Sequence, residues 1–239
     1  KNYSQNTIKK FIDQLNQAFK YAQNKGYIIQ NPMFDIIKPK SNKKPKDIRA
    51  LEIEEQQKLT DYLLYVPIQD EPYKNVFLLQ MFLGLRIGEA LALQTSNINL
   101  YKNIIHITNT LTTDIDRKVI MGDTTKTYAG DREIPIPEFL LDTVKTQMRL
   151  AENHKDKLLF VDSNNNYIMP NNANRILQRI TKNLGIENVS THSLRHTYGT
   201  RCIESGMRAV ALQRLMGHTD ISVTLNTCLL YTSDAADDK

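Results

Sequence analysis

The segment from residue 190 to residue 218, STHSLRHTYGTRCIESGMRAVALQRLMGH, constrains the fold of this chain more than any other stretch. Ser190 or Thr191 can cap a helix that Gly206 ends, and a second short amphipathic helix then stops at Gly217. An apolar stripe with a spacing of four residues would anchor the first helix: Leu194, Tyr198 and Cys202. The segment therefore predicts two consecutive helices, the first of them fixed to a buried core.

The first of these helices carries a His-x-x-Arg pair, His192 and Arg195. Residues three apart share a helix face, so the imidazole and the guanidinium can point at one target, and a phosphate is the target that suits both. His218 follows directly after the stop of the second helix. A solvated helix with an unrelated His and Arg would give the same pair, so the pattern needs partners elsewhere in the chain.

Composition limits the classes of partner. The chain has 239 residues, a formal net charge of +5 and a pI near 9.0, which makes a nucleic acid a reasonable partner. No apolar run approaches the roughly 20 residues of a membrane span. Cys202 and Cys228 have neither the spacing of a metal site nor that of a disulfide framework. We predict a cytoplasmic protein without a membrane segment or a bound metal.

The first part of the chain predicts a helix followed by a basic linker. Residues 3–25 have an amphipathic pattern that Ser4 can cap and Gly26 can end. The run KPKSNKKPK, residues 38–46, has two prolines and five lysines: Lys38, Lys40, Lys43, Lys44 and Lys46. Few apolar side chains are present to fold this run, which favours an extended linker at a domain boundary. An ordinary solvated loop is the alternative that composition leaves open.

Arg86 stands at a break between two apolar helical pieces, YKNVFLLQMFL at 73–83 and LRIGEALAL at 85–93, with Gly84 at the break. A charged side chain is rarely buried in such a place without a partner. Glu89, three residues further on, could hold Arg86 in place. That purely structural pairing is the alternative to a functional role for Arg86.

From Asn103 the pattern changes to short segments rich in β-branched residues, IIHITNTL, RKVIMGD and REIPIPE. They predict a small three-stranded antiparallel sheet, with Lys126 near the tip of the hairpin turn TTKTYAG between the last two strands. A lysine at such a tip is usually only solvated. A strand-like LLFVD at 158–162 and a basic helix that ends at Gly185 follow. The predicted fold class is mainly α with a small three-stranded antiparallel sheet (α+β).

Four motifs occur in the order and local context of one protein family. They are GLRIGEALAL with Arg86, TKTYAGDREIPIP with Lys126, HSLRHTYGT with His192 and Arg195, and LMGH with His218. Together they resemble the tyrosine recombinase (phage integrase) family, in the form of an integrase of a phage or a conjugative element. One motif alone would be weak, whereas four in the right order are specific.

The resemblance implies a division of the chain into four parts. Residues 1–37 resemble the end of the family's helical, DNA-binding core-binding domain, and residues 38–46 would be the linker. Residues 47–227 would be the catalytic domain. Residues 228–239, CLLYTSDAADDK, change character abruptly and resemble the translation of a sequencing adapter, so we predict that this tail is not native.

The resemblance also implies a chemistry. Members of the family break a DNA phosphodiester with a tyrosine hydroxyl, form a 3′-phosphotyrosine, and rejoin the strand without ATP, a metal or another cofactor. Arg86 and Arg195 would hold the non-bridging oxygens and stabilise the transition state, with hydrogen bonds from His192 and His218. Lys126 would be the general acid for the leaving 5′-oxygen. The partner would be double-stranded DNA, contacted also by the linker lysines, and the intact protein would assemble as a tetramer on paired sites.

The chain departs from the family at the nucleophile. The tyrosine should follow His218 by nine or ten residues, and the tenth residue is Cys228. Tyr231 lies three residues further on in an unrelated context, and we do not assign it as the nucleophile. The family's C-terminal helix, which docks on a neighbouring subunit, is also missing. We therefore expect a fragment of a recombinase that lacks its nucleophile and is inactive.

Two other functions remain open at this level. A type IB topoisomerase uses similar chemistry to relax DNA without exchanging strands, although those enzymes typically have a lysine where this chain has His192. A protein that binds DNA without cutting it is the alternative from a different class. An intact gene without a tyrosine near position 228 would support the second alternative.

Overall fold

A computed structural model describes residues 3–37, 39–41, 48–123 and 130–228, with the backbone alone at 123 and 226–228. Contacts between Cα atoms divide the chain into two compact units, Lys1–Asp47 and Ile48–Lys239. The predicted domain limits at 37, 46 and 227 stay predictions. Among the described residues, no helix is both long enough and apolar enough to cross a lipid bilayer.

The first unit is built on helix α1, Gln5–Asn24. Ser4 caps it, because its hydroxyl accepts a hydrogen bond from the backbone N–H of Thr7 at 3.3 Å. Asn31 donates from its side chain to the Asn16 amide oxygen at 2.8 Å and so ties the following turn to the helix. None of the described residues of this unit is buried, and Ile29 is 99% exposed. The described part of the unit therefore has an amphipathic helix but no core of its own.

The second unit contains the remaining described helices and all the described strands. Its helices are α2 (Ile53–Tyr65), α3 (Lys74–Leu83), α4 (Ile87–Leu91), α5 (Leu141–Ala151), α6 (Pro170–Asn183), α7 (Thr191–Glu204), α8 (Ala209–Met216) and α9 (Ile221–Cys228). Its strands are β1 (Ile98–Asn99), β2 (Ile104–Ile107), β3 (Asn109–Thr113), β4 (Val119–Asp123) and β5 (Arg132–Pro135). Helices dominate, and the predicted fold class is confirmed.

Helix α3 is the centre of the core. It is apolar on all sides, a pattern typical of a buried helix. Phe77, Leu78 and Leu79 are at most 1% exposed, and α3 packs against α2, α4 and α7. This contact places the end of α3, and the turn that follows it, beside the helix that carries His192 and Arg195.

The sheet differs from the prediction in its strand membership. Within the described residues, β1, β2 and β5 form one antiparallel sheet in that order, and β3 and β4 form a separate antiparallel pair. The segment IIHITNTL divides at Thr108 into two strands that join different sheets, and the third strand of the larger sheet is the two-residue β1. The predicted hairpin between the last two segments was wrong, because β4 pairs with β3 and β5 pairs with β2.

A second difference concerns residues 158–162, which were predicted to be strand-like. All five are described, and they form only an isolated bridge between Leu158 and Gln94. Leu158, Leu159 and Phe160 are nevertheless buried. Their apolar run reflects core packing rather than a ladder of strand hydrogen bonds, two causes that a short apolar run does not distinguish.

Candidate active site

The turn between α3 and α4 presents Arg86. Gly84 ends α3 in the left-handed conformation, with φ of 65°, and a Cβ at this position would lie 2.4 Å from Cδ1 of Tyr198. Arg86 is the N-cap residue of α4, and its backbone N–H donates to the Glu89 carboxylate at 2.9 Å. The sequence GLR thus makes a sharp turn that brings a guanidinium to the end of a buried helix.

Three successive carbonyl oxygens at the end of α8 each accept a hydrogen bond from a different arginine. Nε of Arg132 donates to Leu215 at 2.7 Å, one terminal nitrogen of Arg195 donates to Met216, and one of Arg86 donates to Gly217 at 2.8 Å. The last carbonyls of a helix have no partner within the helix, and they form its negative end. The C-terminus of α8 therefore gathers arginines from β5, α7 and the start of α4.

Glu89 lies beneath these arginines and is 2% exposed. Its carboxylate accepts two hydrogen bonds from Arg132, at 3.1 and 2.8 Å, and one from the Arg86 side chain at 2.8 Å, while Arg195 approaches to 3.9 Å. Burial raises the pKa of Glu89, but the hydrogen bonds and charges of Arg132 and Arg86 lower it by a larger amount, and the resulting pKa is about 2. We call Arg86, Arg132, Arg195 and Glu89 the arginine cluster; it has an excess of positive charge.

Arg195 is fixed on two sides. Besides its bond to Met216, it donates to the carbonyl oxygen of Gly84 at 2.6 Å, and its side chain is 6% exposed. Arg86 is more open, since 40% of its side-chain surface is exposed. The sequence left open whether Arg86 has a functional role or only a structural pairing with Glu89. In the structure Arg86 bonds to Glu89, and Arg195 approaches the same carboxylate.

His218 follows the end of α8 and is hydrogen-bonded to α9. Its Nδ1 lies 2.9 Å from the hydroxyl of Thr224, which is fully buried. Burial, together with the charges of Arg195, Arg86, Arg132 and His196, lowers the pKa of His218 to about 4. His218 is therefore neutral at pH 7, and one ring nitrogen is held by the helix that leads to position 228.

His192 lies on the first turn of α7 and reaches solvent. Partial desolvation by the surrounding protein lowers its pKa, and the positive charges of Arg195 and Arg86 lower it further. His192 is thus electrostatically part of the same site, although it is exposed. The structure brings together four residues singled out by the sequence, Arg86, His192, Arg195 and His218.

Most of the other predicted residues lie in parts of the chain that the structure does not describe. Lys126, Lys38, Lys43, Lys44 and Lys46 lie outside the described residues, and Lys40 is exposed in the first unit. Cys228 is the last residue of α9, where the backbone alone is described.

Sequence reasoning missed Arg132. In β5 the buried positions are Arg132 and Ile134, which alternate with the exposed Glu133 and Pro135. A signal was available, because Arg132 is in phase with Ile134 and Ile136 and must therefore face the core. An inward-facing charge requires a buried partner, and that partner is Glu89.

Comparison with known proteins agrees with this geometry. The model of the phage integrase family matches residues 49–235, most of the chain, and extends past Cys228. The tyrosine recombinase XerC-like protein of Caldanaerobacter subterraneus subsp. tengcongensis is 28% identical over a gapped alignment of 252 positions, which covers 96% of this chain and 62% of the relative. The transposase from transposon Tn916 of Enterococcus faecalis is 25% identical over a gapped alignment of 247 positions, which covers 98% of this chain and 60% of the relative. The chain thus spans about three fifths of the length of these relatives.

Solved structures share the fold. The Tn1549 transposon integrase, in complex with a circular intermediate DNA, has a TM-score of 0.79 at 21% identity, covering 98% of this chain and 80% of that chain. XerA recombinase has a TM-score of 0.61 at 17% identity, covering 99% of this chain and 85% of that chain. Since the family model covers most of the sequence, the family predicted from the four motifs is confirmed, and the chain belongs to the phage integrase family.

Proposed function

We propose that this chain is part of a site-specific DNA recombinase that cuts and rejoins strands through a 3′-phosphotyrosine. The observation that carries the proposal is the anchoring of Arg86 and Arg195 on the adjacent carbonyls of Gly217 and Met216, directly before His218. Two guanidiniums held side by side match the oxygens of a phosphodiester. Because they are fixed before the substrate arrives, they need little reorganisation as charge develops in the transition state.

The two histidines suit a supporting role in this reaction. The pKa values of His192 and His218 are lowered, so both are neutral at pH 7 and can donate a hydrogen bond to a phosphate oxygen. A bound phosphate brings negative charge next to the arginines, which raises the pKa of both imidazoles. DNA binding would therefore move the histidines towards the range in which they exchange protons.

Lys126 is the proposed general acid. It is six residues before Arg132 in sequence, so their Cα atoms are at most about 20 Å apart. Arg132 belongs to the arginine cluster, and a lysine tethered at this distance can reach a phosphate bound there. The tether runs between strands of two different sheets, rather than across the hairpin predicted from sequence.

Position 228 is the proposed place of the nucleophile in an intact protein. It lies four residues after Thr224 on α9, and residues four apart share a helix face. Thr224 contacts His218, so this face of α9 is turned towards the site. Cysteine is shorter than tyrosine by roughly a phenol ring, and a misplacement of about 1 Å can cost on the order of 100-fold. We propose that the chain with Cys228 binds DNA and does not cut it.

The relatives support a mobile element as the source of the activity. The transposase of Tn916 and the integrase of Tn1549 are both transposon proteins by name. We propose double-stranded DNA as the partner, with assembly of the intact protein as a tetramer on paired sites. A cytoplasmic location stays a prediction from cysteine usage.

The test is covalent trapping. A repaired chain would combine Cys228→Tyr with the C-terminal segment of the Tn916 transposase, in place of residues 229–239. It would be incubated with a library of nicked duplexes of randomised sequence, and adducts would be recovered under denaturing conditions and sequenced. We expect an adduct from the repaired chain, none from the chain with Cys228, and none from the repaired chain with Phe at position 228.

The same assay separates binding from catalysis. Arg195→Ala in the repaired chain should reduce adduct formation by about 100-fold or more, as loss of a positioned transition-state donor does. Duplex binding should fall much less. Arg149→Ala, at an exposed arginine of α5, is the matched control and should leave both unchanged. Equal losses of binding and cleavage in Arg195→Ala would show that Arg195 serves binding alone.

One other function has an observation in its favour. Cys228 at the nucleophile position fits a protein that occupies DNA sites without cutting them. Failure of the repaired chain to form an adduct, with normal duplex binding, would favour this function over recombination. An adduct formed by the unrepaired chain through Tyr231 would contradict both the proposed inactivity and the place of the nucleophile.

A further inference from the structure

Arg132 is a buried arginine with three hydrogen-bonding partners. Its side chain is 6% exposed, and it starts β5, the strand that pairs with β2 along four residues. Nε donates to the carbonyl of Leu215, the terminal nitrogens donate to both oxygens of Glu89, and Nη1 also contacts the carbonyl of Gly130 at 3.3 Å. The side chain therefore joins the larger sheet to α4 and to the end of α8.

These partners are the ones on which the rest of the site depends. The Glu89 carboxylate accepts hydrogen bonds from the side chain and from the backbone N–H of Arg86. The turn of α8 that contains Leu215 continues to Met216 and Gly217, which hold Arg195 and Arg86, and then to His218. A shift of either partner of Arg132 would consequently move a residue assigned to the phosphate.

We propose that Arg132 is a positioning residue, whose guanidinium fixes the Glu89 carboxylate and the last turn of α8 relative to the sheet and thereby sets the places of Arg86 and His218. The proposal deepens the proposed function and rests on it for the roles of Arg86 and His218. All three nitrogens of the Arg132 guanidinium already donate to protein oxygens, those of Leu215, Glu89 and Gly130, so Arg132 acts through its neighbours.

The arrangement depends on the shape of the arginine side chain, and a positive charge alone does not provide it. The Nε–H and the terminal N–H groups of a guanidinium point in different directions within one plane, so one side chain can hold a carbonyl and a carboxylate together. A lysine has a single ammonium on a flexible stem and would keep the charge near Glu89 while losing the link to Leu215. Arg132→Lys therefore separates positioning from charge.

The test is the titration of His218, measured by NMR on the chain as it exists, with its histidines isotopically labelled and His218 assigned from His218→Gln. In the wild type, its pKa is lowered to about 4 by burial and by Arg195, Arg86, Arg132 and His196. In Arg132→Lys the charge remains, but a released α8 end would expose His218 and move it from the arginines. We expect its pKa to rise by about one unit or more.

Arg214→Lys is the matched control, because Arg214 is an exposed arginine on the same helix, one residue before Leu215. It should leave the titration of His218 unchanged. If Arg132→Lys titrates like the wild type, and the amide signals of Gly217 and His218 do not move, Arg132 contributes only charge and the proposal is overturned.

A double variant keeps the proposal testable if single variants unfold. Arg132→Met leaves the Glu89 carboxylate buried without its main partner, whereas Arg132→Met with Glu89→Gln removes both charges of the pair. The double variant should regain part of the lost melting temperature and still show the raised pKa of His218. A wild-type titration in the double variant would overturn the proposal. These readouts need no DNA, so a repaired chain that never cuts DNA would refute the proposed function and leave this result standing.

Discussion

Gly84 and Tyr198 approach each other so closely that a methyl group on Gly84 would lie 2.4 Å from the Tyr198 ring. Gly84 also has a φ of 65°, a conformation that costs other residues about 1 to 2 kcal/mol. Its carbonyl oxygen accepts a hydrogen bond from Arg195. One glycine thus combines a backbone conformation, a close contact and a link to the candidate site.

We expect Gly84→Ala to destabilise the protein more than a positive φ alone explains. The matched control is Gly185→Ala, since Gly185 has a φ of 72° and a methyl group added there would have no atom within 4 Å. The control should cost about 1 to 2 kcal/mol, and Gly84→Ala about 1 to 3 kcal/mol more from overpacking. Urea unfolding measures both. Equal losses would show that the Tyr198 ring moves aside without cost.

The low pKa of Glu89 predicts that the free energy of unfolding depends on pH in the acidic range. Its folded value of about 2 lies below the usual 4.5, so its ionised form stabilises the protein fully above pH 4.5. This contribution, about 3 kcal/mol from the size of the shift, is lost as pH falls towards 2. The free energy of unfolding of Glu89→Gln should be lower than that of the wild type at pH 7, and the difference should shrink on acidification.

Glu133→Gln provides the control for this measurement, because Glu133 is an exposed carboxylate on the same strand as Arg132. The free energy of unfolding of Glu133→Gln should differ from that of the wild type by a constant amount between pH 7 and pH 3. A difference between the wild type and Glu89→Gln that stays constant over this range would contradict the assignment of a buried, ionised Glu89.

The lysine-rich run at 38–46, predicted to be a linker, leads to a prediction about the salt dependence of DNA binding. Replacing Lys40, Lys43 and Lys44 with alanine should weaken binding to all duplex sequences and reduce the slope of log K against log salt by about 2 to 3, if each contacts one phosphate. The control replaces three exposed lysines of the second unit, Lys145, Lys155 and Lys157. An unchanged slope in the linker variant would show that these lysines do not contact DNA.

Local sequence was sufficient to single out Arg86, His192, Arg195 and His218, because each lies in a motif with a local structural cause. Gly84 forces the turn before Arg86, and Ser190 caps the helix that carries His192 and Arg195. The hydrogen bonds that join these motifs could not be predicted, because their acceptors are backbone carbonyls. Any residue at 215 or 216 supplies the same oxygen, so the sequence there carries no trace of the contact with Arg132 or Arg195.

The sheet was harder to predict for a related reason. The β-branched run through Thr108 has the same propensity on both sides of that residue, while its two halves pair with different strands, β2 with β5 and β3 with β4. Arg132 could be recognised as inward-facing from its phase with Ile134, but its partner Glu89 lies 43 residues earlier and on a helix. Pairings of this kind depend on tertiary packing, which a local pattern does not encode.

The order of the arginine cluster along the chain has a consequence for synthesis. A chain grows from its N-terminus and begins to fold as it emerges from the ribosome. Arg86, Arg132 and Arg195 all emerge before the carbonyls of residues 215–217 that accept their hydrogen bonds. A nascent chain that has not reached Leu215 holds every arginine of the cluster but none of these acceptors. The candidate site is thus completed late in translation, and a truncated product would carry its charges without its geometry.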